Sequence, residues 1–542
     1  MIPRPSRPAR VVLAAGIAVV LSSAGCASGG GSADAGRGFV FATDMEPDCL
    51  DPQYSALDVT ATVDRPIFDS LVAMSSDGRF HPWLAERWTA GRDGRSYTFT
   101  LRRGVRFHDG TPLDAAAVKA TLDHAVDPKT KSRYAASLIR GYRGSDVVSP
   151  TTVRVRLDEP NAAFLQALST PYLGIQSPAS IEKNARGLCG APVGSGPFRF
   201  VGWTRSKSIT LARNPGYSWG PATAANRGAA RIPRLTFRII SENSVRLGAL
   251  TSGEVHAIDN VPALNMKTLE RSSSATVKRA QVPGAVFGVF LNGTKGVLAD
   301  ERVRVALQRS LDMDAIVKSV YMGRASRAWS LLSPATVGYE PKTVGSWPYD
   351  PALSARLLDQ AGWTGRDAEG FRTKDGRRLT LRWPYQAQLF RDRRDVLAQA
   401  IQAQAKRVGI HVDLRSVDAG TLTQQVLAAR DRMDVMGASF VRPEPDILRY
   451  FYAADRFPGK GGGNFFRYTD GKLDGWLTDA AESTDPDERR QIYSRIQLHL
   501  NAHALVIPTY VPERVLGVSK KVAGLGFDAS ATPLFHEASL KP

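Results

Sequence analysis

The alternation of apolar and polar residues along the chain predicts a mixed α/β fold. Residues 39–43 (FVFAT) are a short apolar run typical of a strand, and residues 96–102 and 151–157 alternate polar and apolar side chains with a period of two. Helical spacing of apolar residues predicts helices that begin at Asp114 and that cover 300–311, 352–361, 395–408 and 485–500. Gly409 follows one of these helices as a cap, before a strand at 410–414. The elements do not alternate strictly and no internal repeat occurs, so we expect an α/β protein with at least two lobes.

The first 25 residues have the organisation of a secretory signal. Arg4, Arg7 and Arg10 precede an uninterrupted apolar run at 11–21, and small residues follow it. A permanent membrane helix is the alternative, but a helix needs about 20 apolar residues to cross a bilayer and this run is much shorter. We therefore predict that residues 1–25 are removed and that the mature protein lies outside the cytoplasm.

Cys26 stands where this signal would end. The run Ser23-Ala24-Gly25-Cys26 resembles the bacterial lipobox, in which the cysteine is diacylated, although Ser23 replaces the usual leucine. Residues 26–38 are rich in glycine and serine and have the composition of a flexible tether. The resemblance implies a lipid anchor at Cys26 that holds the protein to the outer face of the bacterial cytoplasmic membrane. A free secreted thiol is the alternative.

Composition and charge exclude several classes of protein. The chain has 542 residues, 43% of them hydrophobic and 23% charged, which suffices for a large buried core. The net charge of +19 is scattered, with no basic run longer than two residues, so we expect no nucleic acid partner. Removal of the signal leaves a charge of +16, which is compatible with anionic lipid headgroups. No other segment approaches 18 apolar residues, so the chain is not itself a permease.

Ten segments spread along the chain share their sequence with one family. They are 50–52 (LDP), 67–72 (IFDSLV), 82–88 (PWLAERW), 93–110 (DGRSYTFTLRRGVRFHDG), 192–198 (PVGSGPF), 213–215 (RNP), 300–311 (DERVRVALQRSL), 349–351 (YDP), 357–363 (LLDQAGW) and 408–410 (VGI). In this order they resemble solute-binding family 5, the extracytoplasmic substrate-binding proteins of peptide and nickel ABC importers. The resemblance spans residues 39–526, nearly all of the mature chain.

The resemblance implies a two-lobed fold of the periplasmic-binding-protein type II, large peptide-binding class, with a hinge between the lobes and an extra subdomain. The implied division gives lobe I residues 39–63, 190–285 and 506–542, the inserted extra subdomain residues 64–189, and lobe II residues 286–505. Gly194 and Gly196, which precede Pro197, are interpreted as a sharp chain reversal between lobes.

The function that the resemblance implies is binding without covalent chemistry. Closure of the lobes would capture an oligopeptide or peptide-like solute and deliver it to an ABC permease. No P-loop occurs in the sequence, so the ATPase would be another chain. We expect a monomer without cofactor or metal. The same fold with a metal chelate, heme, an oligosaccharide or an antibiotic-like peptide as ligand is an alternative.

The three cysteines exclude a disulfide-dense scaffold and a four-thiolate metal site. With Cys26 used for lipid attachment, Cys49 and Cys189 remain in an oxidising compartment and are candidates for one disulfide. Two unpaired buried thiols are the alternative.

The candidate binding residues follow from the resemblance and from their position. In peptide-binding members an aspartate captures the α-ammonium group of the ligand, and the matching position here is Val441, so that this acidic anchor is missing. Arg442 offers a bidentate donor to a carboxylate or another anion, and Phe440 an apolar wall. The alternative is that Arg442 pairs with Glu444 or Asp446 at the rim. Further cleft candidates by position alone are Tyr385, Phe390, Asn464 and Phe465.

Two short patterns in the sequence are typical of serine hydrolases. Ser218 stands in a G-x-S-x-G pattern, but Pro215 and Pro221 flank it where a nucleophile elbow needs a strand and a helix. Ser180 begins an S-x-x-K pattern without any K-T-G partner. A secreted serine hydrolase that uses either residue is the alternative function.

His499 and His503 are spaced i, i+4 on a predicted helix and could face one metal ion. The sequence places no third ligand beside them, so we interpret them as solvated helix residues.

Overall fold

The computed structural model describes residues 38–541, apart from 133, 183–184, 388–391 and 429–431. The predicted signal, Cys26, the tether up to Arg37 and the candidate Phe390 lie outside the described residues. Across the described ranges, none of the helices combines the length and apolar character that a bilayer crossing requires.

Strands and helices follow each other in an irregular order, as the apolar pattern predicts. The strands are β1 (Phe39–Thr43), β2 (Val72–Met74), β3 (Phe80–Pro82), β4 (Ala85–Ala90), β5 (Ser96–Leu101), β6 (Tyr142–Ser149), β7 (Thr152–Leu157), β8 (Phe198–Thr204), β9 (Ser208–Arg213), β10 (Arg234–Ile239), β11 (Ala257–Ile258), β12 (Ala275–Gln281), β13 (Gly284–Leu291), β14 (Gly365–Arg366), β15 (Arg372–Lys374), β16 (Arg377–Arg378), β17 (Thr380–Tyr385), β18 (His411–Ser416), β19 (Val435–Val441), β20 (Val506–Pro508), β21 (Glu513–Ser519), β22 (Val522–Ala523), β23 (Gly526–Phe527), β24 (Pro533–Leu534) and β25 (Ser539–Leu540). The α-helices are α1 (Asp58–Asp64), α2 (Ala115–Val126), α3 (Ala135–Leu138), α4 (Phe164–Ala167), α5 (Pro178–Glu182), α6 (Ala185–Gly190), α7 (Asn243–Thr251), α8 (Ala263–Glu270), α9 (Glu301–Arg309), α10 (Met313–Val320), α11 (Pro351–Gln360), α12 (Arg394–Arg407), α13 (Ala419–Ala428), α14 (Ile447–Tyr452), α15 (Gly471–Glu482) and α16 (Pro486–Ala502). Short 3-10 helices lie at Pro171–Leu173, Gly296–Ala299 and Pro341–Thr343.

Several helices begin where the sequence supplies an aspartate as a cap. The carboxylate of Asp114 accepts from the backbone N–H of Ala117 at 3.0 Å, and Asp300, Asp350 and Asp485 cap α9, α11 and α16 in the same way. The predicted helix starts are therefore confirmed to within one or two residues. Gly409 follows α12 with a φ of +91°, the conformation expected of a glycine at a helix end.

A seven-stranded sheet contains strands from near both ends of the described chain. Its strand order is β12-β21-β11-β1-β10-β9-β8, and β1 pairs in parallel with both β10 and β11. Phe39 and Phe41 of β1 are fully buried, and the ring of Phe41 packs edge-on against Phe237 and Phe535. Burial of these aromatic rings supplies a large part of the hydrophobic stabilisation of this sheet.

A second sheet, in the order β19-β13-β20, lies between two hydrophobic clusters. Phe287, Val289 and Leu291 of β13 belong to one cluster, whereas Val286 and Phe290 belong to the other. This division follows from the two-residue period of a strand, and it explains why β13 (GAVFGVFL) is apolar throughout.

Residues 64–189, which are predicted to form an extra subdomain and which we call the subdomain, contain a four-stranded sheet in the order β4-β5-β7-β6. Apolar residues of β5 and β7 form a cluster of their own with Val118 and Leu122 of α2. Cys49 and Cys189, which lie 140 residues apart in sequence, are joined by a disulfide with a Cα–Cα distance of 4.4 Å. Leu50 also donates its backbone N–H to the carbonyl of Cys189 at 3.1 Å. The chain therefore enters and leaves this subdomain at one covalent junction.

The chain passes from the seven-stranded sheet to the second sheet between β12 and β13, and returns between β20 and β21. β20 (Val506–Pro508), which the predicted division places in lobe I, pairs with β13 of the second sheet. The predicted boundary at 285/286 likewise falls inside β13, which begins at Gly284. Both differences arise because β20 and the start of β13 are apolar strands that sequence alone does not assign to a sheet.

Gly194 and Gly196 have a different role from the predicted reversal between lobes. A Cβ at Gly194 would lie 2.1 Å from the carbonyl oxygen of Ile67, and one at Gly196 would lie 2.6 Å from that of Pro66. Gly196 donates its backbone N–H to Ile67 at 2.8 Å. These glycines allow two backbones to approach closely, and the crossings between the sheets lie elsewhere.

Candidate functional site

A cavity of about 490 Å³ lies where α1, the subdomain, β17, β19 and the residues before β21 meet. This volume falls within the range of small-molecule sites, roughly 300 to 1,000 Å³. Aromatic residues supply much of its wall: Tyr134, Tyr172, Phe287, Tyr385, Phe440 and Phe465. An apolar wall with a few polar groups is typical of a solute-binding cavity.

The end of β19 brings three predicted residues to this cavity: Phe440, Val441 and Arg442. The Phe440 ring lies 5.2 Å from that of Tyr450 and 6.2 Å from that of Tyr134. The carbonyl of Val441 accepts from the Tyr134 hydroxyl at 3.4 Å.

Gly284 of β13 pairs with Val441 and has a φ of +105°, and a Cβ there would lie 2.3 Å from the carbonyl oxygen of Phe440. A glycine is therefore required opposite this part of the wall.

Arg442 is only 4% exposed although it lines the cavity. Its Nη2 lies 3.6 Å from a carboxylate oxygen of Asp446, and its Nε is buried without a hydrogen-bond partner. Burial alone would lower the pKa of Arg442, but the facing carboxylates of Asp446 and Glu444 raise it, so the guanidinium remains charged. Arg442 thus lines the cavity and also contacts Asp446, and its contact with the ligand stays a prediction.

Glu444 is not the partner of Arg442. Its carboxylate pairs with Arg489 and accepts the backbone N–H of Asp446 at 2.6 Å.

The other predicted residues differ in their position relative to the cavity. Tyr385, at the end of β17, and Phe465 line the cavity, and the Phe465 ring packs edge-on against Phe290 at 5.5 Å. Asn464 does not line it: the side-chain amide donates to the carbonyls of Ala453 and Tyr468, and its oxygen accepts the N–H of Tyr468. The Asn464 amide therefore holds its own loop, and its predicted contact with the ligand stays a prediction. Phe390 lies outside the described residues.

Two cavity arginines were missed by sequence reasoning. Arg514 pairs with Asp259 at 3.0 Å and with Asp58 at 3.3 Å, and donates to the hydroxyl of Thr62 at 2.7 Å. Burial raises the pKa of Asp259 to about 6, although the Arg514 guanidinium opposes this shift.

Arg394, at the start of α12, donates to the hydroxyls of Tyr510 and Ser439 at 3.0 and 3.1 Å and lies over the ring of Phe287. Both arginines are held by polar partners of the chain.

The subdomain supplies cavity residues for which the sequence offers no signal. The rings of Tyr134 and Tyr172 meet edge-on at 5.0 Å beside Phe440. Gln166 of α4 also lines the cavity, is 1% exposed, and has no hydrogen-bond partner for either atom of its side-chain amide. Because these residues lie far from β19 in sequence, no local pattern links them to it.

Neither serine of the hydrolase patterns lines the cavity. Ser218 is exposed in a loop after β9, and its neighbours Tyr217 and Trp219 turn inward to donate hydrogen bonds to Asp69. Ser180 is buried within α5. The G-x-S-x-G pattern therefore arises from a loop whose aromatic residues are buried.

The histidine pair has acidic neighbours that the sequence did not reveal. His499 lies 2.9 Å from a carboxylate oxygen of Asp470, and His503 lies 2.7 Å from one of Glu301. Even so, in the part of the chain that the structure describes, no three or more His, Cys, Asp or Glu side chains are arranged to hold a metal ion.

Comparisons with known proteins identify the family. The sequence model described as "Bacterial extracellular solute-binding proteins, family 5 Middle" matches residues 79–457. The glutathione-binding protein GsiB of Salmonella choleraesuis (strain SC-B67) is 29% identical over 509 residues, which cover 91% of this chain and 92% of GsiB. The GsiB protein of Escherichia coli (strain K12) is 28% identical over 503 residues, 91% of this chain and 92% of that protein.

Solved structures agree in fold. NikA from Brucella suis in complex with Fe(III)-EDTA has a TM-score of 0.80 at 25% identity, over 93% of this chain and 99% of NikA. The ABC transporter-associated periplasmic binding protein DppA from Helicobacter pylori in complex with peptide STSA has a TM-score of 0.77 at 24% identity, over 93% of this chain and 98% of that one. GsiB and this DppA are named as binding proteins. The family model covers more than half of the chain, so the chain belongs to the bacterial extracellular solute-binding proteins of family 5, which confirms the fold class and the main function predicted from the sequence, a substrate-binding protein of an ABC importer.

Proposed function

We propose that this protein captures an oligopeptide or peptide-like solute in the cavity at the end of β19, and that closure of two lobes encloses it for delivery to a membrane permease. The observation that carries the proposal is the composition of the cavity wall. Asp58 and Arg514 come from the side of the seven-stranded sheet, Tyr134 and Gln166 from the subdomain, and Phe440 from the second sheet. A solute in this cavity contacts all three parts and would stabilise their closed arrangement.

The lobes proposed here follow the sheets. Lobe I comprises 39–63, 190–283 and 509–541, the extra subdomain comprises 64–189, and lobe II comprises 284–508. The hinge is formed by the two crossings, at Val282–Pro283 and after Pro508, because only these two backbone segments join the two sheets in this division.

The peptide-like class rests on relatives and on the cavity together. GsiB is named for glutathione, and the Helicobacter pylori protein holds a peptide. The aromatic wall suits apolar side chains of such a solute, and the arginines suit its carboxylates. Val441 at the position of the acidic anchor disfavours recognition of a free α-ammonium group there.

The proposal includes a membrane anchor. The family is extracellular, and the segment 1–25 followed by Cys26 has the pattern of a lipoprotein signal. The mature protein would be a lipid-anchored monomer on the outer face of the cytoplasmic membrane. Two acyl chains on Cys26 would hold it stably in that membrane.

Native mass spectrometry of the protein purified from its own host tests the proposal. We expect a bound solute with a mass that tandem fragmentation assigns to a peptide or a peptide-like molecule. After the solute is removed by unfolding and refolding, calorimetry with glutathione and with the peptide STSA measures binding of two defined probes. The variant Phe440→Ala should weaken binding of the retained solute, whereas Tyr349→Ala, at an exposed position outside the cavity, should not. A metal chelate, heme or oligosaccharide as the retained solute would overturn the peptide-like class.

A further inference from the structure

Two buried polar side chains that line the cavity have atoms without a hydrogen-bond partner. Arg442 is 4% exposed, its Nε has no hydrogen-bond partner, and its one ion pair within the described residues is the 3.6 Å contact with Asp446. Gln166 is 1% exposed, and neither its Nε2 nor its Oε1 has a partner. Buried polar groups are nearly always hydrogen-bonded in proteins, so the unpaired side-chain atoms of Arg442 and Gln166 at one cavity require an explanation.

The other cavity arginines contrast with Arg442. Arg514 is fixed by Asp58, Asp259 and Thr62, and Arg394 by Tyr510 and Ser439. These side chains already have acceptors in the protein and shape the wall. Arg442, by contrast, lines the cavity with a guanidinium whose Nε has no hydrogen-bond acceptor in the protein.

The surroundings of Arg442 favour a ligand anion. Glu444, the other acid close to it in sequence, is already paired with Arg489. The rings of Phe440 and Tyr134 line the same cavity, and Arg442 is only 4% exposed, so that low exposure to water would strengthen a charge-assisted hydrogen bond at its guanidinium. A planar guanidinium presents two parallel donors that fit the two oxygens of a carboxylate.

We propose that Arg442 binds a carboxylate of the ligand and that Gln166 binds an amide group of the same ligand. The inference rests on the proposed function, because it assigns the ligand to this cavity. An amide supplies one donor and one acceptor, which are the two partners that the Gln166 side chain lacks. The ligand is therefore an anionic molecule with at least one amide, and its carboxylate is either a peptide C-terminus or an acidic side chain.

Three pools of N-acetylated tripeptides test the inference and separate the two sources of the carboxylate. The first pool has free C-termini and no Asp or Glu, the second contains the same peptides as C-terminal amides, and the third contains amides that each carry one Asp or Glu. The stripped protein is incubated with each pool, and retained peptides are identified by mass spectrometry and measured individually by calorimetry.

We expect retention from the first pool if the C-terminus binds Arg442, or from the third if a side chain does, with weak retention from the second. Equal retention from the second pool would overturn this inference and leave the proposed function standing. If no pool is retained, the peptide-like class and this inference fall together.

Variants connect the retained peptides to the two side chains. Arg442→Gln should weaken binding of a retained free acid by about 10- to 100-fold, and Arg442→Lys, which keeps the charge and loses the paired donors, by less. Both variants should bind the matching amide as wild type does. Arg415→Gln, an exposed arginine paired with Asp413 outside the cavity, is the matched control and should change nothing. Equal affinity of Arg442→Lys, Arg442→Gln and wild type for the free acid would overturn the role of Arg442.

Gln166→Met keeps the volume of the side chain and removes both unpaired polar atoms. The ligand-free variant should be at least as thermostable as wild type, because no protein hydrogen bond is lost. Its affinity for the retained peptide should fall about tenfold. A variant with lowered stability and unchanged affinity would show that Gln166 has a structural role only, and would overturn its part in binding.

Discussion

Asp69 shows how single polar residues bring distant segments together. Its buried carboxylate accepts hydrogen bonds from the Ser195 hydroxyl at 2.8 Å, the Tyr217 hydroxyl at 2.9 Å and the Trp219 indole at 2.8 Å. Asp69 and Ser195 both lie within segments that resemble the family, IFDSLV and PVGSGPF. These two segments therefore meet at one buried polar junction.

Asp69→Asn should change how the stability of the protein depends on pH. Burial raises the pKa of Asp69 from 3.8 to about 6, although hydrogen bonds from Ser195, Trp219 and Tyr217 oppose the shift. A carboxyl with a raised pKa in the folded state contributes stability that is fully present below pH 4 and is lost as the pH rises through 6. The unfolding free energy of wild type relative to Asp69→Asn should therefore fall by up to about 3 kcal/mol between pH 4 and 7.

Urea denaturation of both proteins at several pH values measures this difference. Asp479→Asn, on the exposed side of α15, serves as the control and should give a difference that does not change with pH. A constant difference between wild type and Asp69→Asn would show that Asp69 is ionised throughout this range.

At the scale of elements, the disulfide between Cys49 and Cys189 closes the subdomain at its base. Its loop of 140 residues contains β2 to β7 and α1 to α5, and thus most of the subdomain core. In the chain-entropy treatment, closing a loop of this length stabilises the fold by about 5 kcal/mol. Observed effects of disulfides are usually about 2 to 5 kcal/mol.

The double variant Cys49→Ala/Cys189→Ala should lower the free energy of unfolding by about 2 to 5 kcal/mol. Urea unfolding measures the change, with Cys26→Ser in both proteins so that no other thiol is present. Reduction of the wild-type disulfide should give a similar loss. If reduced wild type and the double variant are both as stable as the oxidised protein, the disulfide does not stabilise the fold by reducing the conformational entropy of the unfolded chain.

Helices and strands could be predicted from sequence where the residues that determine them lie next to them in the chain. Asp300, Asp350 and Asp485 are N-caps that stand beside the helices they begin, and the two-residue period of β5 and β7 is visible in any short window. Sheet membership is not local: β20 pairs with β13, which lies more than 200 residues earlier in the chain, and no short window of sequence reveals this.

The residues of the cavity likewise fall into those that the local sequence identifies and those that it does not. Phe440, Val441 and Arg442 are consecutive, so the match of one position to the family identified all three as candidates. Tyr134, Gln166, Arg394 and Arg514 come from four separate parts of the chain, and only the packing of the whole molecule brings them to one wall. Asn464 and Phe465 are neighbours in sequence, yet only Phe465 lines the cavity, because proximity in sequence does not determine which side chain turns toward it.

At the scale of the whole molecule, the subdomain contacts the proposed lobe II across the cavity. The Tyr134 hydroxyl donates to the carbonyl of Val441, Arg456 lies 3.8 Å from Glu159, and the N–H of Ala162 donates to the carbonyl of Ala481 at 3.0 Å. The described structure thus has the subdomain and lobe II in contact. If closure moves lobe II relative to the subdomain, these contacts must break when the protein opens.

The N–H of Ala162 reports this motion, because its hydrogen bond to Ala481 crosses between the two parts. We expect hydrogen exchange at Ala162 to be at least tenfold faster in protein stripped of solute than in protein saturated with a retained solute, since opening exposes this amide to water. Hydrogen exchange with mass spectrometry on peptides that cover 158–166 measures the rate. Amides of the β5–β7 ladder, such as that joining Phe99 and Val153, lie within the subdomain and should exchange equally in both states. Equal protection of Ala162 in both states would mean that the subdomain and lobe II move as one body, and that any closure occurs against the seven-stranded sheet alone.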